Sequence, residues 1–370
     1  IMKITKISVY ALENPLITPY FLSGGRLRFD KLDCTFVRLD TDDGVYGWGE
    51  GTPWGTTYLP AFGRGVQAGL AELAPSILGL DPRQIDVVNR AMDVALPGHP
   101  YVKSAVDIAC WDILGKVCGL PICELLGGRE PGPVPCASNI SAKSPDEMLK
   151  EVNSYRDLGY TVHSCKIGAN VDLDIKRIHH LSANVREGET IIFDLNRSWL
   201  PREAITVMNS VDETRFWFEQ PCNTYEENLH VRQNTRQAIS LDEGIKEYMD
   251  LVRAHRDNTC ELVNIKIGRV GGLTKAKKMR DFCIETGIAM LIMETGGTVL
   301  ADTAAAHMAQ ATPKTTVLAT ADTQTMIEID PAPNSGSHQV NGCLTAPDLP
   351  GLGVEPDIKI LGEPSAVYGS

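Results

Sequence analysis

The sequence predicts an α/β chain: a (β/α)8 barrel preceded by a smaller domain of strands followed by helices. Three observations predict it. The chain has 370 residues, too many for one ordinary domain but suited to a barrel with an attachment. From about residue 134 onward, short apolar runs alternate with helical segments. There are eight such runs, at a steady interval of roughly 25 residues, the length of one strand–helix unit.

The first part is β-rich. Lys3–Leu12 and Cys34–Leu39 read as strands. Thr41-Asp-Asp-Gly44 is a turn signal before Val45–Trp48, so these last two runs form a hairpin. Helices follow at Val66–Leu78 and Ser104–Leu114, where Val106, Ala109, Cys110 and Ile113 share a face, and Gly119-Leu-Pro121 stops the second. Leu125-Leu-Gly-Gly128, with Pro131 and Pro133, marks a linker, which puts the domain boundary near residue 130. The eight runs are Val134–Asn139, Tyr160–Ile167, Ile191–Leu195, Arg215–Glu219, Ala238–Glu243, Leu262–Ile267, Ala289–Met293 and Thr316–Thr320. Ser144-Pro-Asp-Glu147 reads as a capped helix start, and Lys246–His255 and Thr274–Thr286 as further helices.

Composition narrows the function. Thirty-five basic against 47 acidic residues leave a net charge of -12, which argues against a nucleic-acid partner. No apolar run is long enough for a membrane span. The first residues lack an apolar leader core. The ten cysteines are scattered without a CxxC pair and read as reduced core residues of a cytoplasmic protein.

In such a barrel the chemistry sits at the C-terminal ends of the strands. Strands three, four and five end in Asp194, Glu219 and Asp242. Strands two and six end in Lys166 and Lys266. The steps from Asp194 to Glu219, Asp242 and Lys266 are 25, 23 and 24 residues, one strand–helix unit each. A lone strand-end acid commonly caps a helix. Three on consecutive strands converge and repel unless a cation lies among them. All-oxygen ligation favours a hard ion, Mg²⁺ first. The flanking lysines, with pKa values lowered by that cation and by each other, suit proton transfer at the carbon beside a carboxylate.

These residues resemble the enolase superfamily, specifically its muconate lactonizing enzyme subgroup, over essentially the whole chain. The pieces that carry the resemblance are Gly47-Trp-Gly-Glu50, Lys103-Ser-Ala-Val-Asp107-Ile-Ala-Cys-Trp111-Asp, Phe218-Glu-Gln-Pro221, Lys266-Ile-Gly-Arg-Val-Gly-Gly272 and Pro350-Gly-Leu-Gly353-Val. The resemblance implies a modified (β/α)8 TIM-type barrel over 131–349. It also implies an N-terminal α+β capping domain over 1–130, to which a tail of about 350–370 returns. Tyr20 through Gly25 and Trp54 through Tyr58 match two loops that close over substrate. Asp194, Glu219 and Asp242 match the metal positions, Lys166 and Lys266 the acid/base pair. One departure matters: the subgroup's Lys-x-Lys on strand two is here Ser164-Cys-Lys166. Glu294-Thr295 stands where the mandelate racemase type has histidine.

The implied substrate is a small amino acid, and a homo-oligomer is expected. Candidate substrate contacts are Tyr20, Trp54, Tyr58, Ser164, Asn196, Glu294, Thr295 and Asp322. A secondary ammonium needs acceptors, which Glu294, Thr295 or Asp322 could supply, whereas a quaternary one needs aromatic faces. Loss of water from a cis-3-hydroxyproline suits a two-lysine site, because the proton and the hydroxyl leave from opposite ring faces. Epimerisation of proline or hydroxyproline betaine, or of a dipeptide, is the alternative.

Overall fold

The structure is a computed structural model and describes residues 2–168, 170–213 and 215–370. The strands in chain order are β1 (Ile4–Leu22), β2 (Leu27–Thr41), β3 (Tyr46–Glu50), β4 (Val134–Pro135), β5 (Ala137–Ile140), β6 (Val162–Lys166), β7 (Thr190–Asp194), β8 (Trp217–Glu219), β9 (Ala238–Leu241), β10 (Leu262–Lys266), β11 (Ala289–Met293), β12 (Val317–Ala319), β13 (Cys343–Leu344) and β14 (Ala366–Gly369). The sheet β5 to β12 is parallel and in sequence order, with a helix after nearly every strand. It closes where Cys136 and Thr320 form a parallel bridge and the Ala137 amide donates to the Thr320 carbonyl, 2.9 Å. The expected eight-stranded barrel is therefore present.

The eight runs map onto this barrel with one correction. Val134–Asn139 is not a single strand. Its first two residues leave the barrel and pair antiparallel with β13, and only Ala137 onward joins β6. Pro135 lacks an amide hydrogen, which favours such an edge over a central ladder.

The cap is an antiparallel sheet ordered β14-β1-β2-β3. β1 and β2 run longer than the apolar pattern suggested, because half their residues are exposed or only partly buried and follow no strict alternation. The chain's end pairs with its beginning, Lys6 opposite Gly369. Helices Gly63–Ile77 and Pro100–Cys118 pack on this sheet, and Ile85–Ala95 packs against those two helices. The Ser144 cap is present as a full capping box with Glu147. Helix Val299–Gln310 is buried along its whole length and so shows no amphipathic stripe in the sequence.

Cap and barrel are joined by specific polar bonds. Buried Glu50, at the end of β3, accepts from the Thr298 amide (3.0 Å), the Thr298 hydroxyl (2.7 Å) and the Ala301 amide (3.1 Å). It thereby satisfies the otherwise unpaired N-terminus of helix Val299–Gln310. All ten cysteines are free, and eight are buried. Among the described residues no helix is long and apolar enough to cross a membrane.

Glycines set how closely β3 meets helix Pro100–Cys118. A Cβ on Gly47, Gly49 or Gly51 would lie 2.3, 1.9 or 2.2 Å from the carbonyl oxygens of Ala109, Ala105 and Tyr101. The three share one face of the strand, and the helix backbone lies directly against it. Gly49→Ala must push rigid backbone aside, so a stability loss of about 3 kcal/mol or more is expected. The readout is a lowered urea midpoint with an unchanged slope.

Candidate active site

The barrel register places the charged strand ends in one row. Lys166 is the Cα partner of Asp194, and Asp194 of Glu219. Asp242 follows immediately after β9, whose Leu241 is partnered with Val263 of β10. Lys266 ends β10. Because β6 and β10 are the second and sixth of eight strands, the two lysines approach the barrel mouth from opposite sides. All five groups are buried.

Their charges are balanced locally. The Lys166 ammonium donates to Asp194 and lies 5.9 Å from the centre of the Tyr20 ring. Lys266 donates to Asp242 at 2.7 Å and lies 5.8 Å from the Tyr58 ring centre. Arg269 donates to the other oxygen of Asp242 at 2.5 Å and to the Ile245 and Asn264 carbonyls. Burial alone would raise the Asp242 carboxyl, but Arg269 and Lys266 hold it well below the usual range. Burial likewise pulls Lys166 down, yet Asp194, Tyr20 and Glu219 hold it well above an ordinary lysine.

Glu219 is the least compensated of the row. Burial first, then repulsion from Asp194 and Asp242, pushes its carboxyl well up. Among the described residues its only side-chain donor is Asn264 Nδ2, 3.0 Å away. Among the described residues no three acidic, histidine or cysteine groups are drawn into one closed shell; ammonium groups lie against Asp194 and Asp242 instead. Even so, the donor set fits a hard divalent cation. It is all oxygen, it comes from three adjacent strands, and its members are like charges brought side by side.

A small cavity opens above the row, with a free volume of about 70 Å³. Of the expected residues it is lined by Lys166, Asp194, Glu219, Lys266, Tyr20, Trp54, Tyr58, Ser164, Asn196, Glu294 and Thr295. Asp242 lies outside the lining, behind Lys266. The cap supplies Tyr20, Trp54 and Tyr58. Trp54 packs edge-on against Tyr20 and Phe29 and sits on Gly296, where a Cβ would come within 2.6 Å of its ring. Ser23 donates to the Asn196 carbonyl at 2.8 Å, and Tyr58 to Glu243 at 2.8 Å. Both cap loops are thus bonded to the barrel mouth.

Asp322 is a correction. It does not line the cavity; it accepts a hydrogen bond from Tyr160, while its neighbours Ala321 and Thr323 face inward. Sequence reasoning also missed Glu243, Arg269, Asn264 and Tyr101. Glu243 receives Tyr58 and Asn196. Tyr101 is 2.6 Å from the Thr295 hydroxyl. Arg269 stood inside the Lys266–Gly272 motif, and Glu243 beside Asp242, so both were in view without a role.

Two family models match the chain. The mandelate racemase / muconate lactonizing enzyme N-terminal domain matches residues 6–127, and the enolase C-terminal domain-like model matches residues 147–360. The chain belongs to the enolase superfamily. Among its superfamily relatives, a cis-3-hydroxy-L-proline dehydratase of Roseibium aggregatum is 41% identical over 368 residues, 99% of this chain and 100% of that one. An N-succinyl-L-Arg/Lys racemase of Bacillus cereus is 30% identical, covering 83% of this chain and 84% of the relative. A superfamily member from Roseovarius nubinhibens, solved in complex with magnesium, superposes with a TM-score of 0.96 at 48% identity over 100% of both chains.

Two buried acids near the site make the fold pH-sensitive. Burial pushes Asp322 up to about 7 and Asp302 up to about 8. Both sit near 3.9 when unfolded. Between about pH 4 and 8 the native state therefore holds more protons than the unfolded state, so these two groups lower stability as pH rises through that window. Urea titrations should show the decline, and Asp302→Asn should flatten it.

Proposed function

We propose that this chain is a Mg²⁺-dependent dehydratase that removes water from cis-3-hydroxy-L-proline. The observation that carries the reading is the pair of buried lysines approaching one small cavity from opposite sides, with a row of carboxylates between them. The full-length likeness to a relative of that activity supports it. The free volume of about 70 Å³ suits a single imino acid better than a dipeptide.

In this reading Asp194, Glu219 and Asp242 hold the cation, which supplies the positive charge that makes an α-proton beside a carboxylate removable. Lys166 and Lys266 are the acid/base pair. In cis-3-hydroxy-L-proline the hydroxyl and the α-hydrogen lie on opposite ring faces. One lysine takes the α-proton, the electron pair left on the α-carbon forms the ring double bond, and the carbon–oxygen bond breaks. The opposite lysine protonates the departing hydroxyl, which leaves as water. The enamine then tautomerises to Δ1-pyrroline-2-carboxylate. A lysine must be neutral to take the proton. A cation held by Asp194 would weaken that carboxylate's hold on Lys166 and so favour the neutral amine. Arg269 and Tyr58 orient Asp242 and Glu243 beneath the site.

Proton NMR of the protein with Mg²⁺ and cis-3-hydroxy-L-proline in D2O tests the reading: signals of Δ1-pyrroline-2-carboxylate should appear, and persistent substrate would overturn it. Lys166→Ala and Lys266→Ala should each lower turnover by roughly 1,000-fold or more with an unchanged circular dichroism spectrum. Retained dehydration in both would remove the lysines from their roles. Chelation should abolish turnover, and added Mg²⁺ should restore it.

A further inference from the structure

Three side chains could accept a hydrogen bond from a substrate amine at the ends of the last two barrel strands: Glu294, Thr295 and Asp322. The structure leaves one. Asp322 is committed to Tyr160 and lies outside the cavity lining. The Thr295 hydroxyl is 2.6 Å from the Tyr101 hydroxyl, and Tyr101 is fixed in helix Pro100–Cys118. Glu294 is only half committed. Its Oε2 accepts the Gly268 amide at 2.9 Å, while Oε1 is buried without a partner. Glu294 is 5% exposed and lines the cavity.

The other open polar atoms of the cavity do not compete. Asn196 Oδ1 and Asn264 Oδ1 are also unpartnered, but their amide nitrogens are bound to Glu243 and Glu219, which ties both side chains to the acidic row. Trp54 Nε1 is unpartnered too, but it is a donor and cannot receive an N–H. Tyr20 and Tyr58 donate their hydroxyls to Asn139 and Glu243, and the phenol oxygens left to accept are uncharged and weaker partners for an ammonium than a carboxylate.

We propose that Glu294 Oε1 receives the N–H of the substrate's ring ammonium, so that Glu294 restricts the site to imino acids bearing at least one N–H. This rests on the reading of the site as one for a proline derivative, and deepens it. An N,N-dimethylated betaine has no hydrogen to offer and would leave a buried carboxylate oxygen without a partner beside two methyl groups, a penalty that small-pocket enzymes turn into strong discrimination. Burial raises the carboxyl in the free protein, so Glu294 gives up its proton and accepts only when an ammonium lies beside it.

Calorimetric titration with L-proline tests this without chemistry, since L-proline carries no hydroxyl to lose. With Mg²⁺ present, the unsubstituted protein should bind L-proline at least tenfold more tightly than its N,N-dimethyl betaine. Glu294→Gln can keep the Gly268 bond through its amide oxygen while presenting N–H groups to the cavity. It should weaken L-proline at least tenfold and leave the betaine within twofold. Glu294→Asp, which restores the charge on a shorter arm, should recover part of the loss. Equal binding of L-proline by Glu294→Gln and the unsubstituted protein would overturn the assignment while leaving the dehydratase reading standing. Binding of neither L-proline nor cis-3-hydroxy-L-proline to the unsubstituted protein would overturn both.

Discussion

Repulsion among three buried carboxylates is the constraint on which the barrel mouth depends. Parallel register puts Lys166, Asp194 and Glu219 side by side, with Asp242 one strand further on. Like charges at such spacing cannot all stay ionised in a low-dielectric site without cations among them. The chain supplies three from its own side chains. Lys166 and Lys266 come from the flanking strands, and Arg269 comes from the short helix after β10. Arg269 is not interchangeable with the lysines. Its fork binds Asp242 and two backbone carbonyls at once, so it is locked in place, whereas each lysine is a flexible arm with one carboxylate partner.

The cap matters because it finishes this site from above. Glu50 bonds the cap sheet to the start of helix Val299–Gln310, immediately after the strand end that carries Glu294. Trp54 rests on Gly296 in the same turn. Ser23 and Tyr58 tie the two cap loops to Asn196 and Glu243, one residue from the acidic row or two. The apolar lid and the charged floor are thus positioned by the same few polar bonds. The charges meet where they are buried, which strengthens every interaction among them.

The sequence made the floor legible and the walls less so. Strand-end chemistry shows as an interval: one strand–helix unit separates Asp194, Glu219, Asp242 and Lys266, and that regularity survives any error in strand boundaries. Arg269 has no such signature, since it reaches back from beyond its strand. Asp322 failed for a related reason. In the turn after β12 neighbouring residues face opposite ways, so Ala321 and Thr323 line the cavity and the acid between them does not. A turn has no fixed period from which to predict this. Val134–Asn139 read as one strand because apolar content does not reveal a change of pairing partner. Helix Val299–Gln310 lacked a stripe because it is covered on every side.

Position 164 shows how specificity and chemistry are separated here. A serine there is small and uncharged, and it lines the cavity two residues before Lys166 on the same face of β6. A lysine at that point would add a fourth cation to a row of three carboxylates, weaken the pairing of Lys166 with Asp194, and fill part of a cavity that is already small. With serine, one amine per side remains, and the space beside it stays open for a compact ring. The two lysines proposed for proton transfer are carried on rigid strand ends whose register cannot shift without moving every neighbour. Two of the unpartnered polar atoms around the cavity, Glu294 Oε1 and Trp54 Nε1, lie at a strand end and on a cap loop, apart from the charge pairs of the row beneath.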